Sequence, residues 1–168
     1  GTFHHLYFAG TPTAVIALGA TFSALEVVPL VFMGFEAYHN LQLSRATAWV
    51  TAYRWPIYFI ISVSFWNLVG AGLFGFLINP PIALYYMQGL NTTPLHGHAA
   101  LFGVFGMLAI GLMLFVLKGL TIKYRWKTRM LSIAFWTMNG GLMLMLLLSL
   151  LPVGVLQTVA SIKVGMWY

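Results

Sequence analysis

The chain has 168 residues, of which 61% are hydrophobic and 6% charged, where an ordinary soluble domain carries about a quarter charged residues. A mean hydropathy of +0.91 excludes a soluble globular domain, and in so apolar a chain a net charge of +6 reports membrane topology before nucleic-acid binding. No cysteine is present, so disulfide frameworks and thiolate metal sites are excluded, and any metal must be held by histidine, carboxylate or a cofactor's own ligands.

The first residues, GTFHHLYFAG, hold neither a basic n-region nor an initiating methionine. No signal peptide is expected there, and the chain reads as a piece of something longer. Four apolar runs follow, near residues 12–39, 56–78, 94–118 and 129–151, each exceeding the roughly 20 residues that cross a hydrocarbon core. Three open on a proline suited to the first helical position (Pro12, Pro56 and Pro94), two of them behind a threonine able to cap. Gly119 is positioned to close the third run, and Pro152 either stops the fourth or kinks it toward Gln157. No run shows the alternation of a membrane barrel, and an open sheet does not survive in lipid. The expected fold is therefore all-α: one polytopic transmembrane helix bundle over residues 1–168, with four or five spans.

Basic residues orient it. Arg45 and Arg54 lie between runs one and two, and Lys118, Lys123, Arg125, Lys127 and Arg129 between runs three and four. By the positive-inside rule residues 40–55 and 118–129 face the cytoplasm; residues 1–11, 79–93 and the stretch after Pro152 face outward, with Lys163 the exception. Trp49, Tyr53, Trp55, Tyr85, Tyr86, Tyr124, Trp126, Trp167 and Tyr168 fall near the boundaries this implies, as an aromatic belt does.

This topology brings four histidines toward one face of the membrane: His4 and His5 before the first run, His96 and His98 in the first turns of the third. His96 and His98 are about 3 Å apart along a helix but about 200° apart around it. They therefore serve opposite sides, and each can ligate a separate bulky group, for which haem, held edge-on between helices, is the natural candidate. Gly97, Gly103, Gly106 and the Ala99–Gly103 pair leave room for a ring or a close neighbour. In a loop, the adjacent His4 and His5 can converge on one ion, which needs at least one more ligand. Glu26, mid-span, is the obvious carboxylate. Ionised in lipid it costs on the order of 2.5–3.5 kcal/mol on insertion scales, so it must be paired, protonated or metal-bound.

Each feature alone is weak. His-Gly-His is as often structural as functional, and His-His is similar; together with a mid-span glutamate they point to a cofactor site. Glu36 and His39 have a spacing seen in di-iron bundles, but no partner copy exists and the pair reads as interfacial. The Met-rich run LMLMLLLSLL reads as lipid-facing or packing surface.

The stretches GTFHHLYFAGTP, ATFSALEVVPL and TPLHGHAALFGVFGM resemble, in order and spacing, the C-terminal half of the catalytic subunit in the nitric oxide reductase branch of the haem-copper oxidase superfamily. The resemblance covers nearly the whole chain. It implies that His4 and His5 bind a non-haem iron, with Glu26 beside it as ligand, hydrogen-bond partner or proton donor. It further implies that His96 binds a high-spin haem b and His98 a low-spin haem b. Oxidases of the superfamily carry phenylalanine between the helix histidines and a lysine in the span of Glu26; Gly97 and the absence of that lysine favour the reductase branch. A nitric oxide dismutase-like relative alters a histidine and a glutamate near the iron, whereas His4, His5 and Glu26 stand here. The third histidine and further glutamate of the iron, and the second low-spin haem ligand, belong to earlier helices of such a protein.

The implied reaction is 2 NO + 2 H⁺ + 2 e⁻ → N₂O + H₂O in a bacterial cytoplasmic (inner) membrane, with the histidines toward the periplasm. Its partners are nitric oxide, lipid, the N-terminal half of the same subunit, and quinol or a cytochrome c as donor; GTFHHLYFAGTPTA leans toward the quinol-dependent type. No nucleic acid is expected. The alternatives are a terminal oxygen reductase, the dismutase-like enzyme, a haem-anchoring membrane protein without bond chemistry, and, in another class, a proton-coupled transporter relaying through Glu26 and the histidines.

Overall fold

The computed structural model describes residues 6, 9–44 and 48–165. Four helices in it are long and apolar enough to cross a membrane: Thr13–Asn40, Arg54–Ile78, Thr92–Leu120 and Thr128–Val164. Short helices, Ala48–Ala52 and Pro81–Met87, lie in two of the connections. His4, His5, Arg45, Trp167 and Tyr168 fall outside the described residues. With no water at depth to satisfy a bare backbone, helices are the form such apolar runs must take.

The helix starts depart from a proline-first pattern. Pro12 caps the first span from just outside, with its carbonyl accepting from Val15 and Ile16, while the second and third helices begin at Arg54 and Thr92, two residues before their prolines. At neither threonine-led start does a side chain cap the helix. All first-turn positions lack an intrahelical acceptor for their N–H, so proline fits there as well as at the first residue. At the far end of the third span the helix passes through Gly119 and stops at Thr121, whose amide and hydroxyl both bond the Leu117 carbonyl, at 3.0 and 2.6 Å.

Pro152 does not end the fourth span. A π-helical turn, Leu146–Leu150, precedes it, and the Leu151 N–H reaches back five residues to the Leu146 carbonyl. The wider turn gives the proline ring room where an α-helical ladder would clash, and the helix runs on to Val164. Gly165, at φ 82°, then turns the chain out.

The second span is central and packs against the other three. Its antiparallel contact with the third is the tightest in the bundle. A Cβ on Gly70 would stand 2.7 Å from Ala99, one on Gly103 2.5 Å from Trp66, and one on Gly111 3.2 Å from Phe59. Around this seam lies a core of Phe59, Trp66, Phe74, Leu95, Ala99 and Met107, to which the fourth span adds Leu142 and Leu146. Two polar links tie in that fourth span. Trp66 Nε1 donates to Asn139 Oδ1 at 2.8 Å, and the Asn91 amide donates to Gln157 Oε1 at 2.8 Å. Gly154 permits the latter approach, since a Cβ there would lie 2.8 Å from the Thr92 nitrogen.

The Met-rich run divides by helical rotation, with Leu142 and Leu146 buried and Leu144 and Leu148 exposed. Glu36 accepts from Asn40 Nδ2 at 2.8 Å on an exposed face. Gly70→Ala sets a methyl against backbone atoms of residues 99 and 100, which cannot turn aside, and is expected to destabilise the full-length protein by about 1–3 kcal/mol. Gly140→Ala, with nothing within 4 Å, is expected to be neutral or to gain up to about 1 kcal/mol. Unfolding in detergent measures both, and equal stabilities would mean that the seam does not hold the bundle together.

Candidate cofactor site

His96 lies in the helix Thr92–Ala100, half-buried, with its ring against the second span. Its Nδ1 is 2.8 Å from the carbonyl oxygen of Gly70. A carbonyl can only accept, so Nδ1 donates and the imidazole lone pair resides on Nε2. Gly75 makes space for the ring: a Cβ there would come within 3.2 Å of His96 Cε1. Asn79 braces that turn by donating Nδ2 to the Gly75 carbonyl at 2.7 Å.

His98 is exposed and makes no use of the second span. Its Nδ1 sits 2.8 Å from the carbonyl of Pro94, one turn back on its own helix. The same reasoning assigns Nδ1–H and leaves the lone pair on Nε2. Both histidines are thus fixed in one tautomer, one by a neighbouring span and one by its own helix, with their rings on different sides. Histidines that ligate metals characteristically donate their second nitrogen to a carbonyl or carboxylate, which fixes orientation and raises basicity. Gly97 between them has no atom of another described element within 4 Å of a notional Cβ, so no neighbouring helix packs against it there. These features suit axial ligation of a flat macrocycle on each side of the helix.

Glu26 stands where the first span breaks, between the helices Thr13–Leu25 and Val27–Ser44. Pro29 explains the break. It lacks the N–H that would bond the Leu25 carbonyl, and its ring crowds that oxygen, so the ladder is interrupted one turn earlier. The Glu26 amide bonds the Ser23 carbonyl at 3.2 Å, a tighter turn, and α-type bonding resumes with Leu30 to Glu26 at 3.3 Å. The carboxylate is half-buried. Val27 and Leu30 pack on Gly72, between the two glycines that face His96, so Glu26 and His96 occupy neighbouring levels of the second span.

No group of three or more histidine or carboxylate residues able to hold a metal exists among the described residues. Glu26 is the one member of the expected iron set that is described; His4 and His5 are not. Gly70 and Gly75, which hold and admit the His96 ring, escape a reading of the sequence by motif. The one local signal that could have found them is the small-residue spacing of VGAGLFG, which permits a close helix contact without naming its partner.

Residues 1–164 match the family described as cytochrome c and quinol oxidase polypeptide I, and the chain belongs to that family, the haem-copper oxidases. It is similar to a nitric oxide reductase polypeptide of Stutzerimonas stutzeri, with 29% identity over 168 residues, covering 94% of this chain and 33% of that protein. The chain thus spans about a third of the length of this relative.

Pro29→Ala restores at residue 29 the N–H that the Leu25 carbonyl would accept. Amide exchange across residues 25–30 of the full-length protein is expected to slow roughly tenfold, as a closed turn replaces an open one. Unchanged exchange would mean that something other than the proline breaks the helix at Glu26.

Proposed function

We propose that the chain forms the histidine-bearing part of a nitric oxide reductase, converting 2 NO, 2 H⁺ and 2 e⁻ to N₂O and H₂O in a bacterial cytoplasmic membrane. One observation carries this reading: His96 and His98, two residues apart on one helix, each hold Nδ1 2.8 Å from a carbonyl, one on the second span and one on their own helix, which makes Nε2 the nitrogen suited to ligation. In this assignment His96 ligates a high-spin haem b and His98 a low-spin haem b. His4, His5 and Glu26 hold the non-haem iron, together with a histidine and a glutamate from earlier helices of the same protein.

Haem b, when bound, supplies a redox iron that accepts electrons at one site and binds nitric oxide at the other. The chain's own contribution is positioning. In this reading His96 would hold one iron and His4, His5 and Glu26 the other, and two irons held near each other would supply positioning of the two NO molecules for coupling. Glu26 can also hold a proton at that point, since a carboxylate at this depth is stable only if paired, protonated or metal-bound. The Thr92–Ala100 helix, carrying both histidines, would bridge electron entry and reaction centre. Quinol or a cytochrome c is the donor, with the histidine end toward the periplasm.

Gly97, where oxygen reductases of the family carry phenylalanine, and the absence from the span of Glu26 of the lysine they carry in that span support the reductase over the oxidase reading. Similarity to a nitric oxide reductase polypeptide supports it independently. The optical spectrum of the full-length protein tests it. Two b-type haems are expected, with a high-spin component that shifts on adding NO or CO; a colourless protein would instead fit the proton-coupled transporter. Metal analysis is expected to find non-haem iron without copper, and stoichiometric copper would reject the assignment. His98→Ala is expected to remove the low-spin signal and spare the non-haem iron. Loss of both together would count against separate roles for the two histidines.

A further inference from the structure

The basic end of the bundle holds a cavity that the haem chemistry does not use. It is about 550 Å³, within the range of small-molecule sites, and lies where the second span begins, the third ends and the fourth begins. Arg54, Lys118, Lys123 and Arg125 line it, with the indoles of Trp55 and Trp126. Two of the cations are held against those rings: the Arg54 guanidinium lies 5.8 Å from the Trp55 centroid and Lys118 Nζ 5.5 Å from that of Trp126. Trp126 is itself fixed by a 2.9 Å bond from Nε1 to Thr121 Oγ1.

No carboxylate side chain lines this cavity to neutralise the four charges. The chain's two acidic residues, Glu26 and Glu36, are both on the first span, and neither helix that starts at the cavity has an acid in its first turn or a side-chain cap. The open N–H groups of two helix starts therefore add positive potential to that of the side chains. The Trp55 indole N–H is buried and has no acceptor among the described residues. The charge of this cavity suits an anion bearing several acceptor oxygens.

A neighbouring groove points to the kind of anion. Trp126 also walls a second cavity, of about 360 Å³, formed with Lys127 by Leu114, Leu117, Met130 and Leu131 of the third and fourth spans. A cationic cup and an apolar groove thus share one indole, at the ends of helices that cross a membrane. Free phosphate would use only the cup. An acidic phospholipid fills both, with its phosphate among the cations and an acyl chain along the groove; basic pockets between helices at a membrane surface recognise such headgroups. We propose that this site binds one acidic phospholipid, which pins the 121–127 connection and the starts of two spans together.

Native mass spectrometry of the intact full-length protein in neutral detergent, titrated separately with phosphatidylglycerol, phosphatidylcholine and inorganic phosphate, tests this. Saturable binding of one phosphatidylglycerol is expected, with weaker binding of phosphatidylcholine and none of inorganic phosphate over the same range. Lys118→Gln with Arg125→Gln is expected to lower the lipid affinity roughly 20-fold, and Lys123→Gln alone, outside the helices, about fivefold. Arg129→Gln removes the same charge outside both cavities and is expected to leave the affinity unchanged. Phosphatidylglycerol binding no tighter than phosphatidylcholine would overturn the site. Inorganic phosphate binding as tightly would reassign it to a free anion, and an equal loss from Arg129→Gln would reduce it to diffuse surface charge.

Discussion

The close antiparallel approach of the second and third spans is the contact on which the rest depends. Lipid tails are as apolar as leucine, so helices in a membrane gain nothing by hiding apolar side chains from one another. What joins them is dispersion between closely fitted surfaces, with Gly70 against the backbone of residues 99 and 100 and Gly103 and Gly111 against the side chains of Trp66, Phe59 and Ile60. The functional consequence is direct. Only because Gly70 meets Ala99 can the Gly70 carbonyl reach His96, three residues away on the facing helix. A methyl at position 70 would separate the helices and release the imidazole. Packing and imidazole orientation are here one interaction.

Deviation from regular helix is the second theme. The second, third and fourth spans each contain π-helical turns, Asn67–Phe74, Leu101–Gly106 and Leu146–Leu150, and the first is broken at Glu26. Such turns free or displace carbonyls, which is tolerable in lipid only where protein or a cofactor meets them, and they recur at functional sites. The π turn of the second span contains Gly70, and that of the third begins three residues after His98. The segment that bonds His96 and the segment that follows His98 are thus both irregular. The turn before Pro152 has a different task, letting a long helix pass a proline.

Much of the architecture is legible in the sequence because the bilayer leaves few choices. Apolar runs of membrane length must be helices, and a step of about 100° per residue puts His96 and His98 on different sides whatever surrounds them. The helix ends were less legible. Proline is equally comfortable throughout a first turn, which moved the starts to Arg54 and Thr92, and Gly119 yielded to Thr121 because a hydroxyl could satisfy the last carbonyls. Whether Pro152 stops or bends a helix depends on where the displaced carbonyls go, which is a property of the folded backbone. Least legible were the tertiary partners. Gly70 for His96 is 26 residues away, and Asn139 for Trp66 is 73. No local pattern announces either. His4 and His5 fall outside the described residues, so of the expected iron ligands in this chain Glu26 alone has a described environment.

The central claim is that one helix carries two imidazoles locked in the same tautomer and turned to different sides, each reserved for its own porphyrin. An electron cryomicroscopy map of the full-length protein tests this most directly. Two separate porphyrins should flank the third span, one within bonding distance of His96 Nε2 and one of His98 Nε2, with each Nδ1 still on its carbonyl. A single porphyrin contacted by both histidines, or either ring facing only lipid, would contradict it.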